Sequence, residues 1–229
     1  MDIELLFQGS YCIAKLGIKN GETVKAQSDA MVTMTPNIAV EGKAEGGVMG
    51  MFKRAFTGES LFMQTLKCNG PEDGEAMVAP SEPGDITVLE LDGSNGYFLQ
   101  KGSFLAAEEG IVMDAAAQGV MKGLLSGEGF LLQKATGKGK LVISSFGAIL
   151  KRTLAPNETW IVDNGHLVAW SNTVNYEVKK ASSGFLSSFT SGEGFVCECK
   201  GPGDVYIQTR NPSGFGSWIR QFIPMPKGN

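Results

Sequence analysis

Apolar and polar residues alternate along Val174-Asn175-Tyr176-Glu177-Val178-Lys179, the period-two pattern of a strand with one face buried. Leu141-Val142-Ile143, Val205-Tyr206-Ile207 and Phe130-Leu131-Leu132 are short apolar runs that end in polar residues or glycine, as core strands do. Between such runs stand Pro83-Gly84-Asp85, Asp92-Gly93, Asn95-Gly96 and Pro202-Gly203-Asp204. These are turn pairs, in which glycine or asparagine tolerates positive φ. Turn signals every roughly 8–12 residues with short strands between them predict a β-sandwich or barrel. No strand-helix alternation of the βαβ kind is visible, so the predicted class is all-β.

The pattern also recurs. Gly58-Glu59-Ser60-Leu61-Phe62-Met63-Gln64 returns as Gly127-Glu128-Gly129-Phe130-Leu131-Leu132-Gln133, and again as Gly192-Glu193-Gly194-Phe195-Val196-Cys197-Glu198. The copies are 69 and 65 residues apart. A second tract agrees: Ile18-Lys19-Asn20-Gly21-Glu22-Thr23-Val24 matches Leu154-Ala155-Pro156-Asn157-Glu158-Thr159-Trp160 at an offset of 136, and Met31-Val32-Thr33-Met34 then meets Leu167-Val168-Ala169-Trp170. The middle copy is Tyr97-Phe98-Leu99-Gln100 through Phe104-Leu105-Ala106-Ala107. Two tracts sharing one period of roughly 68 residues predict a triplicated unit. The expected organisation is a single compact body of three repeats, about 1–75, 76–145 and 146–229.

Before each Gly-Glu-Gly/Ser turn lies a glycine-laced stretch with bulky apolar residues. The three stretches carry Met51, Phe52 and Phe56; Met121, Leu124 and Leu125; and Phe185, Leu186 and Phe189. Val48, Met51, Phe52 and Phe56 are near helical spacing, which permits one short helical turn, while the glycines argue against a long helix at about 1 kcal/mol each. Two readings stay open: caps over each unit's own core, or one apolar surface that meets a second copy, another protein or a membrane.

Composition narrows the class. Glycine supplies 31 of the 229 residues without a collagen period, and 42% hydrophobic against 19% charged residues excludes a disordered chain. No apolar run reaches the ~18 residues of a membrane-spanning helix. The start Met1-Asp2-Ile3-Glu4 has no basic n-region, so neither a signal nor a transit peptide is predicted. Twenty basic and 24 acidic residues leave a net charge of −4, which disfavours nucleic acid as a partner because phosphate binding runs on basic excess. Cys12, Cys68, Cys197 and Cys199 in a chain this long fit reduced thiols in a cytoplasmic protein.

Candidate chemistry is sparse. His166, the only histidine, would have to serve as general base in any Ser-His or Cys-His mechanism. Its matched positions are Ala30 and Ser103, and no G-x-S-x-G accompanies it, so it reads as a packed or hydrogen-bonded strand residue. Cys197-x-Cys199 places two thiols on one strand face rather than in a metal-binding C-x-x-C loop. Glu59, Glu128 and Glu193 recur once per unit and could ring a divalent cation; the plainer reading is a turn carboxylate that accepts local N–H groups. Gly137-Lys138-Gly139 lacks the remainder of a phosphate loop. No catalytic, cofactor-binding or metal-binding residue is assigned.

Several of these stretches, in this order, resemble one family. They are Gly58-Glu59-Ser60-Leu61-Phe62, Pro83-Gly84-Asp85-Ile86, Gln100-Lys101-Gly102-Ser103-Phe104-Leu105-Ala106, Gly127-Glu128-Gly129-Phe130 and Gly165-His166-Leu167-Val168-Ala169-Trp170. The chain is similar, from about Glu4 to Trp218, to the altered-inheritance-of-mitochondria family, which is placed in the superfamily of the tryptophan RNA-binding attenuator protein. The resemblance implies three tandem attenuator-like β-sandwich (double-stranded β-helix) repeats with pseudo-threefold symmetry. Eukaryotic members are mitochondrial and linked to inner-membrane organisation; without a transit peptide, this chain looks like a bacterial, cytoplasmic member. The attenuator's RNA chemistry does not carry over, because the matched positions hold Glu59, Glu128, Glu193 and Gln64, Gln133, Glu198 rather than lysine or arginine. The expected function is a non-enzymatic scaffold that forms a homo-oligomer and contacts a protein or membrane partner through the apolar loops. The alternative is a small-ligand module with pockets between repeats.

Overall fold

The computed structural model describes residues 1–43, 63–116, 132–180 and 195–224. Within them the chain runs through β1 (Asp2–Leu6), β2 (Ile13–Ile18), β3 (Thr23–Gln27), β4 (Met31–Met34), β5 (Ile38–Lys43), β6 (Met63–Cys68) and β7 (Gly74–Val78). It continues with β8 (Ile86–Asp92), β9 (Tyr97–Leu99), β10 (Phe104–Glu108), β11 (Ile111–Ala116) and β12 (Leu132–Ser144). The last strands are β13 (Ile149–Leu154), β14 (Thr159–Asp163), β15 (Leu167–Ser171), β16 (Asn175–Lys180), β17 (Phe195–Lys200) and β18 (Gly203–Gln208), followed by helix α1 (Pro212–Arg220). The fold is all-β, and its strand pairings are antiparallel.

The strands form open sheets in the orders β1-β2-β7-β4, β13-β18-β15-β9-β12-β10-β3-β6-β5 with β8 and β11 also on β12, and β14-β17-β16. Alternation explains the burial. In β2 every second residue (Ala14, Leu16, Ile18) is buried, and in β7 so are Gly74, Ala76 and Val78. Three apolar cores result. One gathers Leu16, Ile18, Val24, Leu66, Val78 and Leu105. The second gathers Leu89, Leu99, Ile111, Leu141, Ile143 and Val168. The third packs Leu154, Val162, Val174, Cys197 and Val205 around Trp170, which stacks on Tyr176 with ring centroids 4.4 Å apart.

One set of pairings occurs in each stretch of chain. β2, β8 and β13 pair with β7, the second half of β12 and β18; β4, β10 and β15 lie against the other edge of those same strands. β3, β9 and β14 pair with β6, the first half of β12 and β17, and β5, β11 and β16 flank those in turn. A register irregularity falls at Val32, Leu105 and Val168, each one residue past the start of its strand.

One expectation is corrected. Leu132 and Leu141-Val142-Ile143 lie not in two separate strands but in one 13-residue strand, β12. It changes partners at Gly137 and Gly139, whose φ values of 101° and 139° admit a sharp bend. Gly137-Lys138-Gly139 is thus a strand corner. Helix α1 was not anticipated. Its start is nonetheless written locally, since the Asn211 side chain accepts the N–H groups of Ser213 and Gly214 and Pro212 stands at the first turn. The expected short turn around Met51–Phe56 lies outside the described residues.

Candidate functional site

The nine apolar contact residues expected from sequence, Met51, Phe52, Phe56, Met121, Leu124, Leu125, Phe185, Leu186 and Phe189, all lie outside the described residues, as do Glu59, Glu128 and Glu193. The site is therefore built from what flanks them. His166 closes the 3-10 turn Asn164–His166, which Asp163 caps by accepting the Gly165 N–H at 2.8 Å. Its Nδ1 sits 2.8 Å from the Gln208 carbonyl oxygen, a tie from the turn to β18.

Cys197 and Cys199 share the inward face of β17, where both are free and fully buried. Cys197 Sγ lies 3.4 Å from the Tyr176 hydroxyl and 3.3 Å from Asn164 Oδ1. Burial pushes the Cys197 thiol up to about 11 and the Cys199 thiol to about 12, and the same burial raises the Tyr176 hydroxyl. Burial thus disfavours the thiolate of both cysteines, the form that acts as nucleophile or metal ligand. Cys12 is raised by burial and then by the negative charge of Asp85. No group of three or more His, Cys, Asp or Glu positioned to hold a metal ion occurs among the described residues.

The more informative features are where sheets meet and where apolar groups face water. β3 pairs with β10, and Lys25 Nζ donates to the Ile111 carbonyl at 3.0 Å. Beside this junction is a cavity of about 280 Å³ lined by Met1, Glu22, Val24, Glu108 and Lys138 among others. The Met1 amino group lies 3.4 Å from Glu22 and 3.1 Å from Glu108. β9 pairs with β15, with the Gln100 and Asn172 N–H groups donating to the Val168 and Gly96 carbonyls.

Helix α1 buries no residue. Phe215, Trp218 and Ile219, with Phe222 and Ile223 just beyond, follow helical spacing along one side, and the rings of Phe146, Phe215, Trp218 and Phe222 touch in sequence at 5.2, 5.7 and 5.2 Å. Trp218 is 54% and Phe222 68% exposed. The i, i+3, i+7 aromatic spacing behind an Asn-Pro start is the signal that would have found this surface in the sequence.

A model of the family described as Mitochondrial biogenesis AIM24 matches residues 4–210. The chain belongs to that family. An uncharacterized protein of Streptococcus pyogenes serotype M6 is 33% identical over 220 residues, covering 93% of this chain and 87% of the relative. The X-ray crystal structure of a Streptococcus pyogenes protein superposes with a TM-score of 0.79 at 30% identity, over 97% of this chain and 99% of that one. The chain is a bacterial-type AIM24 member, and no helix among its described residues is long and apolar enough to cross a membrane.

Proposed function

We infer that this AIM24 protein is a non-enzymatic β scaffold of three attenuator-like units, about 1–75, 76–145 and 146–229, that self-associates and contacts a protein or membrane partner. The observation that carries the reading is the apolar exterior of α1, with Trp218 and Phe222 held out to solvent, because a monomer with no partner has no reason to pay for it. The thrice-occurring pairings support the units. So does a shared turn: Glu22 accepts the Lys19 N–H at 3.0 Å and Glu158 the Ala155 N–H at 2.8 Å, and φ is positive at the matched Gly21 and Asn157. Four buried free thiols support a reducing, cytoplasmic setting, and the acidic balance argues against nucleic acid.

The glycine-rich loops remain part of the proposal. Light scattering on a chain carrying Phe52→Ser, Leu125→Ser and Phe189→Ser, beside one carrying Trp218→Ser and Phe222→Ser, tests it. A lower mass than wild type, or lost retention on vesicles of phosphatidylcholine and phosphatidylglycerol, is expected in one or both. Wild-type behaviour in both, with the circular dichroism of the β fold retained, rejects these contacts. The second reading, a small-ligand module, is favoured by the cavity beside Met1. Thermal shifts against amino acids, nucleotides and divalent metals separate the two, since a ligand at 100 times its Kd stabilises by about 2.7 kcal/mol.

A further inference from the structure

Two junctions join the three cores, and they are built alike. At the first, β10 lies against β3 with Ala106 opposite Ala26; at the second, β15 lies against β9 with Ala169 opposite Leu99. Each incoming strand carries the irregularity noted above, and the extra residue is driven into the core of the preceding unit. Leu105 belongs to the first core and Val168 to the second, and both are 0% exposed. A hub where the segments preceding β2, β8 and β13 meet repeats the arrangement, with the Cys12 N–H donating to the Gly84 carbonyl and the Asp85 N–H to that of Gly147.

The series then breaks. Among the described residues, β14, the third strand of the accepting kind, pairs with β17 alone, and β4, the third of the incoming kind, with β7 alone. Val32, which matches Leu105 and Val168, is 55% exposed, and Ile161 on β14 is 51% exposed. At the hub the Ala148 N–H donates to Thr209 Oγ1 instead of continuing the chain of links. Neither edge is guarded in the usual way by lysine or proline: Met31-Val32-Thr33-Met34 has no charge at all, and Thr159-Trp160-Ile161-Val162 has none before Asp163. Because both edges face solvent within one chain, neither serves as the other's partner there.

We propose that β4 of one copy pairs with β14 of a second copy, head to tail, in the register of the two internal junctions. That register sets Thr33 opposite Val162 and Met34 opposite Ile161, and it seats Val32 on the third core beside Trp160 and Ile207. The contact is heterologous, so copies close into a ring or extend as a filament. This deepens the self-association inferred above and rests on the three-unit reading.

Directly opposed strand residues have Cα atoms about 4.5–5.5 Å apart, within disulfide range. Met34→Cys and Ile161→Cys chains, mixed and oxidised with diamide, are therefore expected to yield a linked dimer at least tenfold above either chain alone. No linked dimer in the mixture overturns the proposal. So does a Met34→Cys/Ile161→Cys double variant that cross-links while running as a monomer, since the chain then closes on itself. An Ala26→Cys/Ala106→Cys chain reports on the internal junction. Its bond forming while the mixture stays unlinked leaves the three units standing and removes the second copy; absence of both bonds removes both. Sedimentation of Val32→Asp avoids new thiols: loss of the wild-type assembly with the fold retained is expected, and an unchanged mass overturns the proposal.

Discussion

Cys197 and Cys199 show how one strand face decides chemistry. In the sequence they are two thiols one residue apart; in the fold both point into the third core, where the charged form is disfavoured. Their raised values mean that folding favours the protonated thiols. The stability they contribute is whole below about 9, the ordinary thiol value, and is lost as pH rises through about 11 and 12. A melting temperature that falls across pH 9–12 is expected, with a shallower fall in Cys197→Ala/Cys199→Ala. Iodoacetamide at pH 8 should label neither residue in the native chain and both in urea, as read by mass spectrometry. That His166 would be held by packing or a hydrogen bond was legible from its company, although it stands in a 3-10 turn rather than in a strand. Its tie to Gln208, 42 positions along the chain, was not, because no local pattern encodes a partner that distant.

Among the elements, β12 carries the clearest lesson. Its apolar runs were readable, and the glycine pair between them interrupts the apolar pattern. The interruption is a bend within a continuous strand, and the bend lets one strand serve β9 and β11 with one half and β8 and β10 with the other. A side chain at Gly137 would overlap the Gly110 carbonyl and would hold an unfavourable φ. Gly137→Ala is expected to cost about 2 kcal/mol or more in a urea melt, from crowding plus backbone strain.

Register was legible only in part. The repeated motif aligns Gln64 and Gln133 with Glu198. In the sheets Gln64 lies opposite Ala26 and Gln133 opposite Leu99, but the residue opposite the matching Val162 is Cys197. Glu198 moves to the other face and pairs with Lys179 at 2.6 Å. A one-residue slip exchanges faces because strand side chains alternate.

Across the whole molecule, burial separates three residues that the sequence treats as equals. Val32, Leu105 and Val168 hold matching places, yet only the first meets water. In a dilute sample, Leu105→Ala should cost about 2–5 kcal/mol of unfolding free energy, whereas Val32→Ala should stay within about 0.5 kcal/mol. Equal losses would mean that β4 is already covered.

Sequence by itself determined the all-β class and the family, because alternation, glycine and proline act within a few residues. It could also have shown α1, whose cap and aromatic spacing are local. Only the tertiary structure decided which strands adjoin, where β12 bends, which of three matched residues is buried and which edges stay open. Those outcomes depend on contacts between residues tens of positions apart: among the described residues β3 and β9 each take a further strand, β10 and β15, while β14 takes none.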